Sequence, residues 1–464
     1  MIVLVYLSLS VLSVLCAVAY FKLRITQDQS AQNPNFIQFQ RKFIPIYLLA
    51  VLGDWLQGPY LYRLYHYYGY LEHQVAVIYV LGLVSSAFVF PAKDLITNKY
   101  GSRRVVVISS LLYGFSCFLT LSSHYWVLAI GRCLAGAANT LLFSSLEAWY
   151  LGEHLNTYDF PKEWISVTFN HIAFGNGIMA VIAGLLADLF ARWLQLGPPS
   201  PFVLAVPVLL AVVILVLALW SDGKDSNNKD QLKLEEIRKS LREGLKAITP
   251  DVFLIGTIES LYESSLFVFV FIWTPAIGGR LKRSSDNVLI SSQGLLMSDI
   301  PLGVTFASFM VCFMLGGIIH DYLRHKVKYR LPNLLLPVIA SSAVLFFISS
   351  FLSYNDPPLL FRFTVLICLQ LIEFGCGFYF PIMRTLRDKI LPEENRLSII
   401  ILFRIPLTLL SALALLLLHD ASGGVSEIFL FCAILMVIAL VCSIRFVRMS
   451  GSASFSDEEQ QLPS

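Results

Sequence analysis

Apolar residues fill long stretches of the chain, separated by short polar intervals. Each stretch is close to the roughly 20 residues that an α-helix needs to cross about 30 Å of hydrocarbon. They lie near 2–22, 43–66, 74–93, 105–121, 126–149, 165–191 and 201–220, then near 252–274, 302–320, 333–353, 358–383, 397–418 and 427–447. The pattern predicts an all-α membrane protein of thirteen spans, arranged as one, six, a long loop and six. The segments read as an extra first transmembrane helix (1–23), a cytosolic linker (24–42), a six-helix half (43–220), a central cytosolic loop (221–250), a second six-helix half (251–448) and a disordered cytosolic tail (449–464). Within the central loop, Leu232, Leu234, Ile237, Leu241, Leu245 and Ile248 recur at roughly helical spacing. Two readings fit: an amphipathic helix on the cytosolic membrane face, or a solvated charged linker.

Composition sharpens this picture. Hydrophobic residues make up 56% of the chain and charged ones 14%, against about 25% charged in soluble domains. That excludes a disordered chain, a fibrous repeat and nearly every soluble enzyme. A net charge of +3 gives no reason to expect a nucleic-acid partner. The eight cysteines all fall in apolar runs with no CxxC pair, so they read as packing residues, with no metal or disulfide implied. No phosphate loop, HExxH or nucleophile elbow is present, so neither enzyme chemistry nor a cofactor is expected.

Charge in the loops sets the orientation. With the N-terminus outside, 26 of the 34 Lys and Arg fall on the cytosolic side, four on the other, and four within spans. This is the split that the positive-inside rule requires. The C-terminus is then cytosolic. Ala17-Val18-Ala19 resembles a signal-peptide cleavage site, but no basic residue precedes the run, while Lys22 and Arg24 follow it. The first span is therefore expected to be retained.

Local strings add a resemblance. Asn98-Lys99-Tyr100-Gly101-Ser102-Arg103-Arg104 and Gly131-Arg132-Cys133-Leu134-Ala135-Gly136 resemble loop and buried-arginine motifs of the major facilitator superfamily, as does Gly317-Ile318-Ile319-His320-Asp321 followed by Arg324. Asn98 stands where that loop motif has an acid. DWLQGPYLY (54–62), FSSLEAWY (143–150), DFPKEW (159–164), GTIESLYES (256–264), FIWTP (271–275), GFYFP (377–381) and FRIPL (403–407) resemble, in order, the molybdate-anion transporter family. That resemblance implies a 6+6 helix bundle with one extra N-terminal helix, a site between two halves that alternate access, a plasma-membrane location and a small inorganic anion as substrate. A monomer in the lipid bilayer is the expectation.

Ionisable side chains inside spans are costly, so each needs a partner, a water-filled cavity or a proton. The candidates for proton coupling or ion pairing are Asp54, Glu147, Glu259, Glu263 and Glu373. Glu259 and Glu263 lie four apart, so they share a helix face and repel. Arg404, Arg132, His171 and Asn176 are the candidate substrate contacts. A guanidinium offers a planar fork of donors to an oxyanion, but Arg132 fits equally as an ion-pair partner of Asp54. Arg63 and Arg362 read as snorkelling residues, Arg384 and Arg387 as anchors at the inner membrane edge, and Tyr60, Tyr62, Tyr65, Tyr67 and Tyr68 as an interfacial belt. Five deep acids against two deep arginines would repel a dianion. Protons entering with the anion would resolve this. So would a different substrate, an organic or cationic solute. A non-transporting scaffold or nutrient sensor is the remaining alternative.

Overall fold

The computed structural model describes residues 1–23, 33–220, 234–278, 281–283, 289–291, 300–327, 331–354, 358–416 and 424–452. The apolar runs all become helices: α1 (Ile2–Leu23), α2 (Pro34–Trp55), the short α3 (Leu61–Tyr67), α4 (Glu72–Val89) leading through a single turn into α5 (Lys93–Tyr100), α6 (Ser102–Leu119), α7 (Tyr125–Gly152), α8 (Glu163–Asp188) and α9 (Ser200–Leu219). After the central loop come α10 (Leu234–Lys246), α11 (Pro250–Gly278), a small antiparallel ribbon of β1 (Leu281–Arg283) and β2 (Leu289–Ser291), α12 (Leu302–Tyr322), α13 (Leu331–Leu352), α14 (Leu359–Ile390), α15 (Arg396–Leu416) and α16 (Gly424–Ser452). Among the described residues, twelve helical segments are long and apolar enough to cross a membrane. Helix α2 is not one of them, because its first turns carry Asn35, Gln38, Gln40, Arg41 and Lys42. With it the described residues form thirteen helices of eighteen residues or more, of which twelve meet the length and apolarity of a span against the thirteen spans expected.

Three boundaries differ from the sequence reading. The linker expected over 24–42 is helical from Pro34, where the Asn33 side chain accepts from the Asn35 and Phe36 amides and proline suits the first turn. The second span, expected over 43–66, breaks after Trp55, since Pro59 disfavours helix at the residue before it. At the other end, α16 continues to Ser452, past the expected tail boundary. The rest of the linker (24–32), of the central loop (221–233) and of the tail (453–464) lies outside the described residues.

The chain divides into two compact units. The first comprises Met1–Ala17, Ile25–Ile237 and Gly278–Met314; the second comprises Val18–Arg24, Arg238–Ile277 and Leu315–Ser464. In the first, α2 packs on α8 and α9, α4 on α7, and α6 on α7 and α9. Helices α4 and α7 touch backbone to backbone: a Cβ on Gly136 would lie 2.2 Å from the Gly82 carbonyl oxygen. Helix α1 is apolar on every face and buries only Val5, as suits a helix facing lipid. In the second unit, α13 packs on α14 and α16. A Cβ on Gly256 of α11 would meet the Phe403 ring of α15 at 2.1 Å.

The central loop does form an amphipathic helix, α10. Its small residues touch the start of α15: the Ser240 and Ser398 hydroxyls hydrogen-bond, and a Cβ on Gly244 would lie 2.7 Å from Ser398 Cβ. The tyrosine belt needs correction. Tyr60, Tyr62 and Tyr65 are buried, and of the five only Tyr67 is strongly exposed.

Candidate functional site

Each unit carries a cluster of charged groups at the depth of its apolar helices. In the first, Asp54 lies in the last turn of α2 rather than at mid-span, beside the break that Pro59 imposes. Its Oδ1 accepts from the Tyr113 hydroxyl of α6 and, at 2.6 Å, from the Asn139 amide of α7. The charge of Arg132, seven residues into α7, also acts on it. Arg132 has the hydroxyls of Tyr65 and Tyr79 as electrostatic neighbours, and its Nε is buried with no hydrogen-bond partner among the described residues. The next residue along, Trp55, donates from its indole nitrogen to Asn176 Oδ1 at 2.7 Å. That leaves the Asn176 amide NH2 as the donor it can offer. His171 and Glu147 are both exposed.

Sequence reasoning missed a second polar group of this unit. Asp188 is buried at the end of α8 and holds Arg192 at 2.8 Å, while the Tyr60 hydroxyl donates to it at 3.1 Å. Arg192 also donates to the Tyr6 hydroxyl of α1. The signal was present, since Asp188 and Arg192 stand one helical turn apart, but nothing local identifies Tyr6 and Tyr60 as their partners. The loop motif is likewise rebuilt. In place of the missing acid, Lys93 pairs with Asp94 at 3.4 Å and donates to Ser144 of α7 at 3.1 Å, and the Thr97 and Ser145 hydroxyls meet at 2.9 Å. Arg103 donates to the Leu217 carbonyl at 2.9 Å, capping the end of α9.

In the second unit, Glu259 of α11 accepts from Arg387 of α14 at 2.5 Å. The anchor role expected for Arg387 is therefore corrected: its long side chain turns inward from the last turn of α14. Glu263, one turn further along α11, feels the charges of Glu259, Arg387 and Arg404. Arg404, in the middle of α15, is exposed. Glu373 is buried on α14 beside Tyr262 and Cys376, and the rings of Tyr262 and Tyr379 stack at 3.8 Å. Arg362, expected to snorkel, is buried. Among the described residues no group of three or more His, Cys, Asp or Glu side chains could hold a metal ion.

The structure thus brings Asp54 and Arg132 together in one unit, and Glu259, Glu263 and Arg404 in the other. The arrangement offers paired guanidinium and carboxylate groups, with amide and hydroxyl donors beside them. That is chemistry for holding an ion by charge-assisted hydrogen bonds and for exchanging protons.

Comparison with known proteins places this chemistry. A family model described as sugar transporters with twelve transmembrane segments matches residues 1–374. The molybdate-anion transporter of Xenopus laevis is 38% identical over 437 residues, covering 93% of this chain and 90% of its own. That of Danio rerio is 36% identical, covering 96% and 95%. Among solved structures, the nucleoside transporter NupG superposes with a TM-score of 0.62 at 14% identity, covering 89% of this chain and 99% of its own. At that identity the likeness speaks for the fold alone.

Proposed function

The chain belongs to the molybdate-anion transporter family, and on that premise we propose that it carries molybdate, a tetrahedral dianion, across a membrane by alternating access. The observation that carries the reading is the extent of the likeness. It runs along more than nine-tenths of the chain and so takes in both compact units. The charge chemistry supports it. Arg404 is an exposed residue in the middle of a membrane helix, and its fork of donors suits an oxyanion. In the first unit the donors available to an oxyanion are the Asn176 amide and the exposed His171. Arg132 we assign to Asp54 as its neighbouring countercharge, beside the hydrogen bonds from Tyr113 and Asn139.

Uptake is proton-coupled in this reading, with Asp54, Glu147, Glu259, Glu263 and Glu373 as the candidate carriers or ion-pair partners. A plasma-membrane location, an outside N-terminus and a cytosolic C-terminus accord with the 26-to-4 division of Lys and Arg between the two sides. Tags at the two termini of intact cells test that orientation. We take the working unit to be a monomer.

The test of substrate is uptake of labelled molybdate into vesicles containing the purified protein, with tungstate, sulfate and glucose as competitors. Competition by tungstate, with glucose inert, is the expected result. Competition by glucose with no molybdate entry would instead favour the organic-solute reading, which the description of the matching family model supports. A scaffold or sensor would move neither solute.

A further inference from the structure

The sequence reading left Arg387 outside the site, and the geometry puts it inside. We propose that Arg387 is an anion-binding residue whose partner Glu259 is exchanged for the oxyanion, and that Glu259 and Glu263 take up two protons for each dianion. This inference rests on the transport reading above and concerns how the same site is loaded.

Two carboxylates, Glu259 and Glu263 on α11, share two guanidiniums, Arg387 on α14 and Arg404 on α15. The empty set sums to zero. Among the described residues, Arg387 and Tyr379 from α14 and Arg404 from α15 act on it directly, and Tyr262 from α11 acts on Tyr379. Glu373 acts on Tyr262 and Cys376, one step removed from the arginines. No group in this list can supply two further positive charges to a dianion. A tetrahedral dianion entering the ionised set would leave it at minus two at the depth of the apolar helices, where uncompensated charge is expensive. Two protons restore the sum to zero.

Geometry decides which groups receive them. The Glu259 carboxylate lies 2.5 Å from the Arg387 guanidinium, with side chains 11% and 28% exposed respectively. The pair is shielded from water without being sealed. A carboxylate and a molybdate present the same kind of oxygen to the same fork of donors, so the two compete for Arg387. Protonating Glu259 removes its charge, weakens its hold and frees the guanidinium for the anion. Glu263 stands one turn away, next to the charge of Glu259, so it takes the second proton. On release of the anion both protons leave, and Glu259 closes again on Arg387.

The stoichiometry has a numerical signature. With two protons per dianion no net charge moves, so the steady-state accumulation of labelled molybdate should rise about a hundredfold per unit of imposed pH gradient and ignore membrane potential. One proton per dianion would give about tenfold per pH unit, and an inside-negative potential of 100 mV would lower accumulation roughly fiftyfold. The experiment uses the full chain in vesicles, with potential clamped by potassium and valinomycin at 0 and −100 mV. Glu259→Gln should convert the hundredfold slope to tenfold and introduce the fiftyfold potential dependence. The double variant Glu259→Gln with Arg387→Gln leaves no unpaired charge. It should be folded by thermal unfolding, yet lose uptake at least a hundredfold. Uptake by that double variant within threefold of the parent would return Arg387 to a purely structural role. A tenfold slope in the parent would overturn the two-proton count and leave the transport reading standing. No molybdate entry at any pH by folded protein would overturn the transport reading and this proposal together.

Discussion

Replacing Asp54 by alanine tests whether the Asp54 cluster is built as described. The carboxylate oxygen Oδ1 accepts from the Tyr113 hydroxyl and from Asn139 at 2.6 Å, and Arg132 acts on it through its charge. Hydrogen bonds to a charged group contribute about 1.5–3 kcal/mol each. Alanine removes both acceptor contacts and leaves Arg132 without its countercharge. Because the three interactions meet at one group they do not simply add. The relevant figure is the loss on breaking a buried charge pair, about 3–5 kcal/mol. At about 2–4 °C per kcal/mol for a unit of this size, that lowers the unfolding temperature by roughly 10 °C. The assay is thermal unfolding of purified protein in detergent. Asp54→Asn keeps an oxygen that can accept and loses only the charge, so it should fall between parent and alanine variant. Asp54→Asn combined with Arg132→Gln should recover most of the loss in unfolding temperature, since both charges of the pair are removed together. An alanine variant within about 2 °C of the parent would refute the cluster as a source of stability.

Three other outcomes follow from the same contacts. Arg404→Ala should abolish molybdate uptake while leaving surface expression intact; normal uptake would remove Arg404 from the site. Gly136→Leu cannot be accommodated by side-chain adjustment, because even a Cβ would lie 2.2 Å from the Gly82 carbonyl oxygen and 3.3 Å from the Ser86 amide nitrogen. It should cost at least the ~1–3 kcal/mol typical of overpacking and reduce folded yield, and unchanged yield and unfolding temperature would show that α4 and α7 are not in backbone contact. Tyr6→Phe removes the hydroxyl that accepts from Arg192; uptake should persist while α1 becomes easier to release by limited proteolysis, and unchanged cleavage would mean that this contact does not hold α1.

How legible each feature was depended on the distance over which its physics acts. Helix existence was plain in the sequence. Helix ends were less so: the start of α2 at Pro34 hides behind Arg41 and Lys42, which read as a loop to any test of apolarity. Polar first turns that a cap and neighbouring helices satisfy look the same, residue by residue, as a solvated linker. The tyrosines after Pro59 misled for a related reason. An aromatic residue with a hydroxyl suits a headgroup layer or a hydrogen-bonded interior equally, and Tyr60 chose the interior because Asp188 accepts its proton.

The sequence by itself determined that this is a membrane protein of thirteen long helices, and it located the ionisable residues that lie among them. Those properties depend only on local apolar length and on charge count, since lipid offers no water to an unpaired backbone. Partnership among the charges was decided by the tertiary structure. Asp54 meets Tyr113 and Asn139 across 59 and 85 residues of chain, and Glu259 meets Arg387 across 128. An arginine near a helix end can extend toward the headgroups or fold back toward a carboxylate with the same local sequence around it. For Arg387, packing of α14 in the unit that contains α11 settles the choice, because an ion pair in a low-dielectric interior forms only where the fold brings both charges within reach.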